Sequence, residues 1–169
     1  ILDEGKQAFH IGNTNIIQND YSTFMGLMVG INGELVRNNI HISLKGKLSS
    51  ANLSGLILGS EKDHFDNNVS IEHYKESCTS NQLFKNIIND RSKSIFNGLI
   101  TVHKSAVNTD ANQKNENLLL SDNASINSNP QLEIYTDEVS CSHGSTTGQL
   151  DDDAMFYLQS RGIPREQAQ

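Results

Sequence analysis

The sequence predicts an all-β protein that gives way to a short helical segment at its C-terminal end. Three observations carry this. Between about Thr14 and His143, apolar residues recur at every second position over short stretches, the period of a strand whose two faces meet different surroundings. Clusters of turn-tolerant residues separate those stretches. Helical spacing takes over only after Leu150.

The first clear strand is Ile40, Ile42 and Leu44 alternating with His41, Ser43 and Lys45. Strands are then predicted over Leu53 to Leu58, Val69 to His73 and Gln82 to Ile88. Phe96, Gly98, Ile100 and Val102 alternate with Asn97, Leu99, Thr101 and His103, and predict another. Leu118 to Leu120, Leu132 to Tyr135 and Val139 to His143 complete the series. Gly59-Ser60, Asp66-Asn67-Asn68, Asn89-Asp90 and Ser125 to Pro130 read as the turns between them, and Gly144 to Gly148 reads as a loop. Such strands suit a sandwich, a barrel or a β-helix, and periodicity alone leaves all three open. Two features lean toward the β-helix: abundant Asn, expected where side-chain amides occupy repeated tight corners, and segments that pair small residues with aliphatics. Asn32-Gly33 is the nearest approach to a hairpin signal.

After Leu150, Asp151-Asp152-Asp153 can cap a helix and oppose the positive end of its dipole, and Ala154 to Leu158 supply helix formers with an apolar face. Gly162 sits where a helix ends, and Pro164 at the first position of another. The expected division is a β core over 1–149 and the start of a helical region over 150–169. The chain begins at Ile1 without an initiator Met and ends inside a helical pattern, and is expected to be a piece of a longer protein.

A chain of 169 residues supports one domain with a real core. Net charge is −7 and the 13 Lys and Arg are scattered, so the electrostatic footprint of a nucleic-acid partner is missing. No run approaches the roughly 18 to 20 apolar residues of a membrane span, and none reads as a signal peptide. A soluble, cytoplasmic protein is expected. The two cysteines, Cys78 and Cys141, suit a reducing compartment as free thiols and cannot by themselves make a four-cysteine site.

Val139, Cys141 and His143 alternate, so on a strand they share a face, about 7 Å between successive positions. A thiol and an imidazole on one face can ligate a soft or borderline metal ion, but two ligands leave a tetrahedral site incomplete. The pair therefore reads as a half-site whose remainder lies elsewhere. The plainer alternatives are a core thiol beside Val139 and an imidazole that hydrogen-bonds the following loop. His10, His41, His64, His73 and His103 are dispersed, with no HxH or HExxH pair, and read as structural or exposed. No GxxxxGK[ST] phosphate loop and no GxSxG elbow is present. Asp137-Glu138 reads as a solvated strand edge.

The run Ser140-Cys141-Ser142-His143-Gly144-Ser145-Thr146-Thr147-Gly148-Gln149-Leu150-Asp151, continuing through Phe156-Tyr157-Leu158-Gln159-Ser160-Arg161-Gly162-Ile163, closely resembles the signature of the SufB/SufD family of iron-sulfur cluster assembly proteins. Phe96 to Val102, Thr109 to Gln113, Asn117 to Ser121 and Pro130 to Ile134 are similar to that family too, in family order. Cys-Ser-His-Gly looks like the SufD branch, where the SufB branch carries Cys-Glu-His-Glu. Glu138 and Ser140 depart from the family's Asp-Asp-Val-Lys-Cys stretch.

The resemblance implies a right-handed parallel β-helix followed by a helical segment, and a non-catalytic scaffold subunit of a complex with SufB-like and SufC-like proteins. It implies that ATPase activity resides in the SufC-like partner, and that iron or a nascent cluster is held transiently where the SufB-like and SufD-like helices meet, with none bound stably by this chain alone. Carried over by position, His143 becomes a ligand at that interface, with Cys141 as a second. Asp152, Phe156, Tyr157 and Arg161 fall in the segment that meets the SufC-like partner. An isolated subunit is expected to form a homodimer through its open strand edges. The competing class is a carbohydrate- or metal-dependent enzyme on a β-helix or cupin-like fold. A cupin needs clustered His and Glu, and a pectin-type enzyme basic residues; neither is visible.

Overall fold

The computed structural model describes residues 1–168. Its strands are β1 (Leu2–Asp3), β2 (Phe9–Gln18), β3 (Thr23–Asn32), β4 (Leu35–Leu44), β5 (Ser50–Gly59), β6 (His64–His73), β7 (Thr79–Ile88), β8 (Lys93–Val102), β9 (Thr109–Leu119), β10 (Ser125–Ile134) and β11 (Val139–Gln149). Helices α1 (Asp152–Ser160) and α2 (Arg165–Ala168) follow. Odd-numbered strands form one parallel sheet and even-numbered strands the other, so the chain winds as a β-solenoid of about five turns. Equivalent positions recur 26 residues apart between β2 and β4, 29 between β4 and β6, and 32 between β8 and β10.

Stacking explains why alternation was so clear in the sequence. Ile16, Ile42, Ile71, Ile100 and Leu132 lie in register on five successive strands and form one column of the core. Because each residue sits directly on its neighbour a turn away, sizes must complement along a column. Gly55 precedes Phe84 in its column, and a Cβ at Gly55 would lie 2.4 Å from the Phe84 ring. The absent side chain makes room for that ring, which meets Phe96 from the opposite sheet at 4.8 Å between centroids.

The corners are built differently from the expectation. Tyr21, Leu48, Glu61, Ser77, Asp90 and Asn108 all adopt positive φ, and only two of the six are the Asp or Asn that tolerate it best. Bonds between turns hold this conformation: the amides of Leu48, Ser77 and Asn108 donate to the carbonyls of Glu76, Val107 and Glu138 on the next turn. Ser22, Ser49, Ser92 and Thr109 each close a corner by donating the side-chain hydroxyl to the carbonyl three residues back. Asn32-Gly33 is one more corner, between strands of different sheets, and no hairpin.

Asparagine instead lines the strands. Asn13, Asn39, Asn68, Asn97 and Asn129 stack in register across the outside of the even-numbered sheet, with Asn39 donating to Asn13 at 2.8 Å and Asn97 to Asn68 at 2.9 Å. Asp66-Asn67-Asn68, expected as a turn, therefore lies inside β6, and Ser125 to Pro130 lies inside β10. The predicted Gly144 to Gly148 loop is likewise strand, since β11 runs to Gln149. In each case hydrogen bonds to the neighbouring turn outweigh the local turn preference of Asn, Ser and Gly. Gly59-Ser60 and Asn89-Asp90 do mark corners.

Candidate functional site

Strand β11 pairs with β9 in a register that sets Cys141 beside Ala111, His143 beside Gln113, Ser145 beside Asn115 and Thr147 beside Asn117. Val139 and Cys141 face inward, packed on the cluster of Ile100, Val102, Ala106 and Ala111. Ser145 also faces the opposite sheet, its hydroxyl 2.7 Å from that of Ser128. Alternation then puts His143, between them, on the core-facing side. Ser142 faces outward and donates to Asn112 Oδ1 at 2.5 Å.

This is the last turn. Among the described residues β11 pairs only with β9 and β10 only with β8, so both outer strand edges lack a further strand. His143 is consequently exposed although it faces the core side, and Cys141 is half-buried. Burial pushes the Cys141 thiol above its ordinary pKa; the Ala111 backbone amide works against that shift, and the Asp110 charge adds to it. Cys141 is therefore a weaker ligand at neutral pH than an unhindered thiol. Among the described residues no three His, Cys, Asp or Glu side chains are grouped to hold a metal ion. The structure brings His143 and Cys141 to one face, with no third ligand beside them among the described residues.

The sequence-predicted helix residues sit apart from this pair. Asp151 caps α1, its carboxylate accepting from the amides of Asp153 and Ala154, with Asp152 exposed in the first turn. Met155 is the buried residue of the helix, while Phe156 is 72% and Tyr157 57% exposed. Arg161 lies over the Tyr157 ring, 5.2 Å from its centroid, and donates to its hydroxyl at 3.2 Å. Gly162 follows at φ 85, and Pro164 immediately precedes α2. No helix among the described residues is long and apolar enough to cross a membrane.

Residues 1–169 match the family described as "SUF system FeS cluster assembly, SufBD core domain". The chain belongs to the SufBD core-domain family. It is 36% identical over 166 residues to the iron-sulfur cluster assembly protein SufD of Escherichia coli, covering 98% of this chain and 39% of that protein. It is 34% identical over 156 residues to an iron-sulfur cluster assembly SufBD family protein of Synechocystis, covering 92% of this chain and 34% of the relative. Against SufD of Bacillus subtilis the identity is 32% over 111 residues, 66% of this chain and 25% of the relative. The chain thus spans about two-fifths or less of the length of these relatives. Within the family it is most like SufD.

Sequence reasoning missed what lies beneath β11 in this SufBD core. Gln82, Gln113, Asn86, Asn115 and Asn117 are buried in the last turns, where the register partners of Gln82 and Asn86 on β5 are Leu53 and Ile57. It also missed a cluster on the outside of the even-numbered sheet. His41 and His103 approach Glu72 from either side at 3.4 and 3.0 Å, and Tyr74 donates to the same carboxylate at 2.5 Å. The signal was present: His41, Glu72 and His103 stand at equal intervals of 31 residues, two more than the 29-residue turn that relates β4 to β6 and β6 to β8.

Proposed function

We propose that this chain is the core of a SufD-type scaffold subunit in iron-sulfur cluster assembly, and that His143, with Cys141 beside it, is its share of a cluster-forming site completed by a SufB-like partner. The observation that carries this reading is His143 standing exposed on the core side of the last turn, on a rim whose two strands have no further strand beside them among the described residues. Two ligands do not complete a tetrahedral site, and a partner strand laid along β11 is the natural source of the others. Iron or the nascent cluster is cargo, held transiently and shared across the interface.

In this reading the chain is not an enzyme. ATP hydrolysis belongs to a SufC-like partner, which docks on the segment carrying Asp152, Phe156, Tyr157 and Arg161, and whose action exposes the interface. The assembly works in the cytoplasm, and without partners the subunit pairs with a second copy along the open edge of β11.

The test is co-expression of the full-length protein with its SufB-like and SufC-like partners, as wild type and as His143→Ala, followed by assay of iron and acid-labile sulfide. A normally assembled variant that lacks iron and sulfide supports the ligand role. Equal contents in the two complexes reject it.

A further inference from the structure

We infer that Gln113 is a positioning residue for His143: its unsatisfied side-chain carbonyl is the acceptor available to one imidazole nitrogen, which leaves the lone pair of the other free for iron. The inference rests on the ligand role proposed above for His143.

Leu53, Gln82, Gln113 and His143 occupy one column on β5, β7, β9 and β11. Gln82 and Gln113 are buried, at 1% and 0% exposure. Gln113 Nε2 donates to Gln82 Oε1 at 3.0 Å, which commits the nitrogen end of the Gln113 amide. Its Oε1 has no hydrogen-bond partner. The opposite sheet makes room for this amide, because a Cβ at Gly98 would lie 2.1 Å from Gln113 Nε2. The amide is thus enclosed, fixed at one end and unsatisfied at the other, an arrangement buried polar groups rarely keep.

His143 is the next residue in the column, with strands about 4.8 Å apart, and faces the same side. Two of the neighbouring buried amides, Asn115 and Asn117, do not compete for Gln113. Asn115 donates to the Phe84 carbonyl at 3.2 Å, and Asn117 donates to Asn115 Oδ1 at 2.8 Å. A neutral imidazole carries one N–H and one lone pair, so a fixed acceptor for the N–H decides which nitrogen can bind a metal. Metal-bound histidines ordinarily have such a partner on their second nitrogen. An amide carbonyl supplies it without adding negative charge beside the cargo.

The measurement is nitrogen NMR of the full-length protein labelled with 15N-histidine, the His143 signal being identified by its loss in His143→Ala. A single neutral tautomer is expected for His143, mixed tautomers in Gln113→Met, and recovery of one tautomer in Gln113→Glu, which keeps the acceptor. Mixed tautomers in the unmutated protein overturn the inference with no variant needed, and so does a Gln113→Met protein whose tautomer is unchanged. Ferrous ion titrated into the assembled complex should bind roughly 10- to 100-fold more weakly with Gln113→Met; unchanged affinity denies Gln113 any part in iron binding. If the tautomer is fixed yet His143→Ala keeps its iron, the ligand role has failed and the hydrogen bond has not.

Discussion

His73 Nε2 lies 2.9 Å from the Ser80 hydroxyl in the space between the two sheets, and the imidazole is fully enclosed. Nδ1 has no hydrogen-bond partner there. Burial holds the ring neutral and lowers its pKa from 6.5 to about 4.

That depression makes stability depend on acid. Between these two pKa values the unfolded chain binds the proton and the folded chain does not, so stability falls as pH drops through the window from 6.5 toward 4. The loss from this one group is about 3 kcal/mol. Urea midpoints compared at neutral pH and at the acid end of the window should move less in His73→Leu than in the wild type. Equal movement would assign the acid sensitivity to other groups.

Tyr74 reports on the carboxylate it touches. Its hydrogen bond to Glu72 comes first, with burial and the carboxylate's charge behind it, and together they raise the phenol above its ordinary pKa of 10. Burial resists ionisation of Glu72, but the hydrogen bonds from Tyr74 and His103 and the charges of His41 and His103 prevail and lower its pKa. Ultraviolet titration should show the phenol of Tyr74 returning toward its ordinary range in Glu72→Gln. An unchanged Tyr74 titration would mean that the phenol does not rest on that carboxylate in solution.

Gly55 tests the column packing. An added methyl would meet the Phe84 ring at 2.4 Å, inside a core that cannot give way on one side only. Gly55→Ala should cost about 1–3 kcal/mol, and Phe84→Leu on top of it should recover part of that cost. Purely additive losses in the double variant would show that the two positions do not share space.

Phe156 tests the proposed helix interface. Its side chain is exposed while Met155 anchors the helix, so Phe156→Ala should leave the melting temperature within a degree or two of wild type, as roughly expected for a surface position. If it anchors the ATPase, affinity for the SufC-like partner should drop by about 2 kcal/mol, some thirtyfold, in a titration of the purified proteins. Full affinity would remove Phe156 from the interface.

Much of the fold was legible because stacking repeats one local pattern: Ile42 and Ile71 each stand between two polar neighbours, and each lies in the core. Cys141 and His143 were placed on one face by the same reasoning, and β11 bears that out. Corners were harder, because Tyr21, Leu48 and Ser77 hold a backbone conformation they do not themselves favour, imposed by bonds to the next turn. The same lack of local information hid Gln113. Its position under His143 depends on a 30-residue register that no short window contains.

Pro130 stands in the middle of β10, and the amides of Ser125 at its start and Tyr135 just past its end donate inward to the carbonyls of Ser92, just before β8, and Val102 at its end. Alternation therefore turns the place of the missing Pro130 amide toward the free edge. The two halves of the terminal rim are thus unequal: β11 offers an uninterrupted ladder, and β10 one with a missing rung. Head-on stacking of solenoids, which needs both halves to pair at once, is opposed at the centre of one of them. A proline at this place works against filament growth from the end of the coil while leaving one strand available for a chosen companion.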